Sequence, residues 1–181
     1  MFILYAVPIG VALGYVMGGR LDRLGSLRFE WAWLAIAGLV VQILLFSPLL
    51  TSVLSASVGA AIYVGSTAAV LVAVLRNIGV PGMPLVWLGA ASNLAAVIAN
   101  GGIMPTTTEA LATAGLEPVT GLSNSAVMPN PALAPLTDVL ALPSWFPLAN
   151  VFSVGDVLIA IGIVIVIAVG MRGGVARVRP A

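Results

Sequence analysis

The chain has no cysteine, no histidine and no lysine among its 181 residues, so its seven basic residues are all arginine. Without cysteine there is neither a disulfide framework nor a thiolate metal site. Without histidine the commonest metal ligand and the usual general base near neutral pH are missing. No metal or other cofactor is implied, and any chemistry falls to carboxylates, hydroxyls and amides. Charge of either sign is scarce, at 7% of residues against 61% hydrophobic. A soluble domain carries about 25% charged residues, so water is not the main solvent of this chain. A net charge of +1 on so few groups offers no clustered basic face, and no nucleic-acid partner is expected.

What the sequence does have is long apolar runs. A hydrocarbon core about 30 Å thick needs roughly 20 helical residues. Residues 2–18, 32–50, 57–75, 84–100 and 153–171 approach or meet that length, and the only charge inside them is Asp156. The runs predict an all-α integral membrane protein of five transmembrane helices. Arg20, Arg23, Arg28, Arg76, Arg172, Arg177 and Arg179 fall in alternate connections or in the tail 172–181, and basic residues mark the cytoplasmic side. The N-terminus is then outside, the C-terminus cytoplasmic, and segment 101–152 an outer loop. Residues 2–18 have no basic residue ahead of the apolar run and read as an uncleaved span. Their Gly10, Gly14 and Gly18 share a face that suits close helix approach, inside the chain or in a dimer.

The outer loop holds seven of the twelve prolines, yet it is rich in apolar residues such as Leu111, Leu116, Val119, Leu122, Leu133, Leu136, Trp145 and Phe146. Surface of that kind is not left in water, so the loop is expected to fold down as a cap on the membrane. Short helices are expected over residues 107–114 and near 133–140, with Trp145 as an interfacial anchor. Inside the spans Gln42, Ser66, Thr67, Ser92 and Asn93 are expected to face neighbouring helices and hydrogen-bond there, since facing lipid is expensive.

Two carboxylates stand at the outer boundary of the bilayer, Asp138 in the loop and Asp156 in the first turn of the last span. Two aspartates brought together share one proton, so one can act as base toward water while the other donates a proton. Each also has an ordinary reading. Ser153-Val154-Gly155-Asp156 is a Ser-x-x-Asp capping box, and Thr137-Asp138 lies between proline-bounded pieces where a polar loop residue is common. Asn100-Gly101-Gly102 reads as a helix C-cap, or as a nest of amides for a headgroup or carboxylate.

The order of these pieces resembles the C-terminal half of signal peptidase II, the bacterial lipoprotein signal peptidase. Thr137-Asp138-Val139, the aromatic and proline stretch 143–147, and Phe152-Ser153-Val154-Gly155-Asp156 follow that family's two aspartate motifs. Gly89-Ala90-Ala91-Ser92-Asn93-Leu94 is similar to its Gly-Ala-x-Gly-Asn-Leu motif, and Ser57-Val58-Gly59-Ala60-Ala61 to its Asn-x-Gly-Ala-Ala motif. The resemblance covers roughly residues 32–170 and leaves residues 2–18 as an extra span. It implies a membrane aspartic peptidase of the bacterial cytoplasmic membrane, acting on lipid-anchored precursors through Asp138 and Asp156, with Asn93, Ser57 and Ser153 as supporting or substrate-binding residues; Asn100, through the amide nest its Gly-Gly sequel could form, joins them as a candidate. Ser57 and Ser153 stand where the family has asparagine, and Ala96-Val97 where it has Asp-Arg. The alternative expectation is therefore a non-catalytic scaffold of the same fold that binds a lipid, a lipoprotein or a partner complex. A transporter is a distant third, because the spans carry no charged relay in their middle thirds and no internal repeat.

Overall fold

The structure, a computed structural model, describes residues 2–118 and 123–173. Val119, Leu122, Arg177 and Arg179 lie outside the described residues, as does the tail beyond residue 173. The chain is mostly helical. A 3-10 turn at Phe2–Tyr5 leads into α1 (Ala6–Val16), followed by α2 (Ala32–Leu45), the short α3 (Pro48–Thr51), α4 (Ala56–Arg76), α5 (Met83–Ala99), α6 (Thr108–Ala114) and α7 (Val154–Met171). Of these α4 and α7 are long and apolar enough to cross a membrane, with mean hydropathies of 2.1 and 2.7. At 1.5 Å per residue their 21 and 18 residues reach about 32 and 27 Å. Helices α1, α2 and α5 are apolar but shorter.

Several boundaries differ from the sequence reading. The first run is a 3-10 turn plus an 11-residue helix that stops at Val16. The second breaks at Phe46–Ser47, because Pro48 cannot continue an α-helical ladder and starts α3 instead. The expectation of an all-α fold is also corrected, since the outer segment contains two small sheets. Strand β1 (Met104–Thr106) pairs in parallel with β2 (Ser125–Val127), Met104 opposite Ser125, and β3 (Leu140–Ala141) pairs antiparallel with β4 (Val151–Phe152), Leu140 opposite Phe152.

The long helices pack mainly in single file, α2 on α4, α4 on α5, α5 on α7 and α7 on α1. In the α2–α4 pair Gly38 faces Val70 and Ser66. Gln42 Nε2 donates to Ser66 Oγ at 3.3 Å and to Thr67 Oγ1 at 3.1 Å, and Phe46 meets Tyr63 edge-on. The expected interhelical role of Gln42 is therefore seen. At the far end Arg76 pairs with Glu30 at 2.9 Å, and Asn77 exchanges hydrogen bonds with the Glu30 backbone.

Helices α5 and α7 run antiparallel in a glycine register. A Cβ on Gly155 would stand 2.7 Å from Gly89 O, and one on Gly162 would stand 2.6 Å from Gly82 O, so both pairs let the backbones touch. Helix α1 lies parallel to α7, with Gly10 against Ile167 and Val164, and Gly14 against Met171. That glycine seam is occupied by the same chain. Gly18 is not part of it. It turns the chain at φ +75° with nothing near a would-be Cβ, and Gly19 takes the third place, 2.7 Å from Met171 Cβ.

Such a row leaves much apolar surface uncovered. Val16 is 84% exposed, Ile43 72% and Trp33 68%. Exposed apolar faces on this scale suit lipid and not water. The structure also has two chemically different ends. Arg20 N–H donates to Met171 O, the Arg23 guanidinium to Arg172 O, and Leu27 packs on Gly170, so the described arginines gather where α1, α4 and α7 end. The sheets, α6 and both candidate aspartates lie at the opposite end.

Residues 101–152, as far as they are described, fold into a compact cap over this end of the helices. Thr107 caps α6 by accepting from Ala110 N–H at 3.1 Å, and Ala110, Leu111 and Ala114 bury themselves against Val151. The second expected helix, near 133–140, does not form. Leu133 adopts φ +53°, outside the right-handed helical region, and only a 3-10 turn at Ala134–Leu136 remains before the chain straightens at Thr137. Aromatic residues tie the cap to α1. Phe2 stacks on Phe152 at 4.2 Å, and the Tyr5 hydroxyl donates to Pro147 O.

Candidate functional site

Asp156 occupies the N3 position of α7. Its N–H donates to Ser153 Oγ at 3.0 Å and its Oδ2 accepts from Ser153 N–H at 3.1 Å, which completes the capping box. The side chain does more than cap. Its Oδ1 accepts from Asn93 Nδ2 at 2.8 Å, while Asn93 Oδ1 accepts from the buried Ser153 hydroxyl at 2.7 Å. Asn93, Ser153 and Asp156 thus form one closed ring across the α5–α7 seam. Gly155 makes it possible, because a Cβ there would fall on the Asn93 amide.

Asp138 lies in the cap at the same end of the molecule. Its N–H donates to Pro105 O at 2.9 Å and its carbonyl accepts from Thr106 Oγ1 at 3.0 Å, so it joins β1 as a parallel bridge. Thr137 beside it is fully buried, and Leu136 packs on the cluster of Ala96, Val97 and Met104 at the top of α5. Burial pushes the Asp138 carboxyl up to about 7, and the charge of Asp156 adds to the shift. The two acids are near enough to feel each other's charge.

That shift has a sign that can be measured. The Asp138 pKa is raised above an unfolded value of about 3.9, so the stability it contributes is fully present below about pH 4 and is lost as pH rises through about 7. Unfolding in detergent micelles between pH 4 and 8 is expected to show stability falling across this window. In Asp138→Asn the decline should flatten.

The other two residues expected at the site lie elsewhere. Asn100 spends its amide on the loop, donating to Ala96 O at 2.8 Å and Ala132 O at 2.9 Å and accepting from Ala132 N–H at 2.8 Å. Asn100→Ala is expected to cost about 1–2 kcal/mol and to speed proteolysis near Ala132, because the partner groups lose their mates. Ser57 is exposed at the start of α4, where its hydroxyl meets Ser55 Oγ at 3.2 Å, and it lines a cavity of about 430 Å³. No interaction among the described residues ties it to either aspartate.

Tyr63 was not expected. One and a half turns below Ser57, it lines the same cavity, packs on the Ala96–Val97–Met104 cluster, meets the side chain of Asn124, and lies within electrostatic reach of both Asp138 and Asp156.

Residues 26–168 match a family of unknown function, DUF5317. The chain belongs to that family. The DUF5317 match contains the whole ring of Asn93, Ser153 and Asp156, together with Asp138 and Tyr63, and leaves α1 outside. Neither the curated proteins nor the solved structures yield a match to the chain.

Proposed function

We propose that this protein is a membrane aspartic peptidase similar to signal peptidase II, cutting a lipid-anchored polypeptide at the outer face of the bacterial cytoplasmic membrane. In this reading α1, α2, α4, α5 and α7 all span the bilayer, the arginine end is cytoplasmic and the cap with Trp145 rests at the outer interface. The observation that carries it is the delivery of Asp138 by the cap to a partly buried position in the field of Asp156.

The roles follow from the surroundings. Asp156 accepts N–H hydrogen bonds on both oxygens, an arrangement suited to the carboxylate, and takes the part of base. Asp138 has no hydrogen bond to its carboxyl among the described residues and carries the shared proton. Water attacks the peptide carbonyl carbon as Asp156 takes its proton. Asp138 protonates the carbonyl oxygen, and collapse of the tetrahedral adduct breaks the C–N bond with a proton passing from Asp156 to the leaving nitrogen. One acid and one amine result, and the carbonyl re-forms by returning its proton to Asp138.

Purified protein in proteoliposomes is expected to cleave a lipid-anchored precursor peptide. The rate should fall as pH rises through about 7, where Asp138 loses its proton. No cleavage at any pH between 5 and 8 would sink the proposal. The second reading, a non-catalytic scaffold that binds a lipid, a lipoprotein or a partner complex, is favoured by one observation. The Asn93, Ser153 and Asp156 side chains hydrogen-bond to one another in a closed ring, an arrangement that serves structure.

A further inference from the structure

We infer that Tyr63 is a third functional group of the site, its phenol donating a hydrogen bond to the carbonyl of a polypeptide seated in the neighbouring cavity; this rests on the peptidase reading. The cavity, at about 430 Å³, falls within the usual size of ligand pockets. Its wall is apolar at Phe46, Leu54 and Ala60 and bears hydroxyls at Ser57 and Ser123, with no charged side chain. Tyr63 lines this cavity and packs on the same cluster as Leu136, two residues before Asp138.

A second donor has a chemical use here. As water attacks, negative charge develops on the carbonyl oxygen before the Asp138 proton is fully delivered, and a hydrogen bond to that oxygen eases the step. The chain has no lysine or histidine, and the described arginines gather at the opposite end. The donor at this end is therefore a neutral group, and preorganisation decides its worth. Tyr63 is preorganised three ways. It stands on α4 inside a helix, its ring is held edge-on by Phe46 at 5.3 Å, and the Asn124 side chain meets its hydroxyl. A phenylalanine would satisfy the packing equally well, so the hydroxyl is the part to test.

The test compares wild type, Tyr63→Phe and Asn124→Ala in proteoliposomes, using two probes. One is a lipid-anchored peptide substrate; the other is the same peptide with a secondary alcohol replacing the scissile carbonyl, a mimic of the tetrahedral adduct. Tyr63→Phe is expected to lower kcat by about 10²-fold, in the range seen when an oxyanion donor is removed, with the melting temperature kept. It should bind the alcohol peptide at least tenfold more weakly, and the ordinary peptide nearly unchanged. Asn124→Ala should lose part of the same rate, and the double variant should lose no more than Tyr63→Phe alone. Cleavage and alcohol-peptide binding both within twofold of wild type overturn the inference. If wild type binds the alcohol peptide through the Tyr63 hydroxyl yet cleaves nothing, the peptidase reading falls and the binding role stands.

Discussion

Asp138→Asn and Asp156→Asn are each expected to reduce cleavage of a lipid-anchored precursor by about 10²- to 10⁴-fold, the range of general acid–base catalysis. Their effects on stability should have opposite signs. Asparagine at 138 removes a carboxyl that is costly to ionise in its partly buried place, so above pH 7 this variant should be more stable than wild type. Asparagine at 156 presents an NH₂ group to one of two N–H donors, Asn93 Nδ2 or the Ser153 amide, and leaves it unmatched. A loss of about 1–3 kcal/mol follows. Equal loss of activity with opposite shifts in melting temperature separates a catalytic pair from a structural one. If Asp138→Asn keeps full activity, the dyad is not what cuts.

Gly155→Ala is expected to be strongly destabilising and to strike the ring directly. The added carbon would stand 2.7 Å from Gly89 O and closer still to the Asn93 amide, so the helix backbones must part and the ring around Asp156 must open together. Overpacking of this kind costs about 1–3 kcal/mol before the hydrogen bonds are counted. Gly65→Ala is the matched control. Gly65 is also a helix residue, but a Cβ there meets nothing within 4 Å. That variant should be neutral or gain up to about 1 kcal/mol from the reduced entropy of the unfolded chain. Melting curves of both in one detergent make the comparison. Similar behaviour would show that α5 and α7 have room to separate.

The helices were legible because an apolar run, unlike a tertiary contact, is written locally, and the same is true of the capping box at Ser153 and Asp156. Gln42 and Asn93 were legible too, since an amide within an apolar run must find a partner on another helix. The cap was legible only as a need to bury leucines. Its geometry depends on Asp138 pairing with Thr106 across 32 residues, and nothing local announces a bridge of that kind. The left-handed turn at Leu133, which denies a helix there, has no local sequence signal. Ser57 and Asn100 sit near the ends of α4 and α5, where motif position pointed Ser57 and a possible amide nest pointed Asn100 to the site, while a neighbouring cap serine and the loop at Ala132 take their hydrogen bonds instead. Tyr63 carried no signal, because a tyrosine in an apolar helix most often packs. It takes the fold to reveal that it lines the cavity and lies within electrostatic reach of the acids.

The single-file order of the helices has a consequence for traffic. In a closed bundle a reacting centre is walled off, and a guest must enter from water through the top. In a row set in a bilayer, as proposed, an inner helix has neighbours on two sides and lipid on the others, which puts the seam of α5 and α7 about one helix diameter, roughly 10 Å, from the acyl chains. A polypeptide already confined to the bilayer can drift in its plane and arrive sideways, searching two dimensions instead of three.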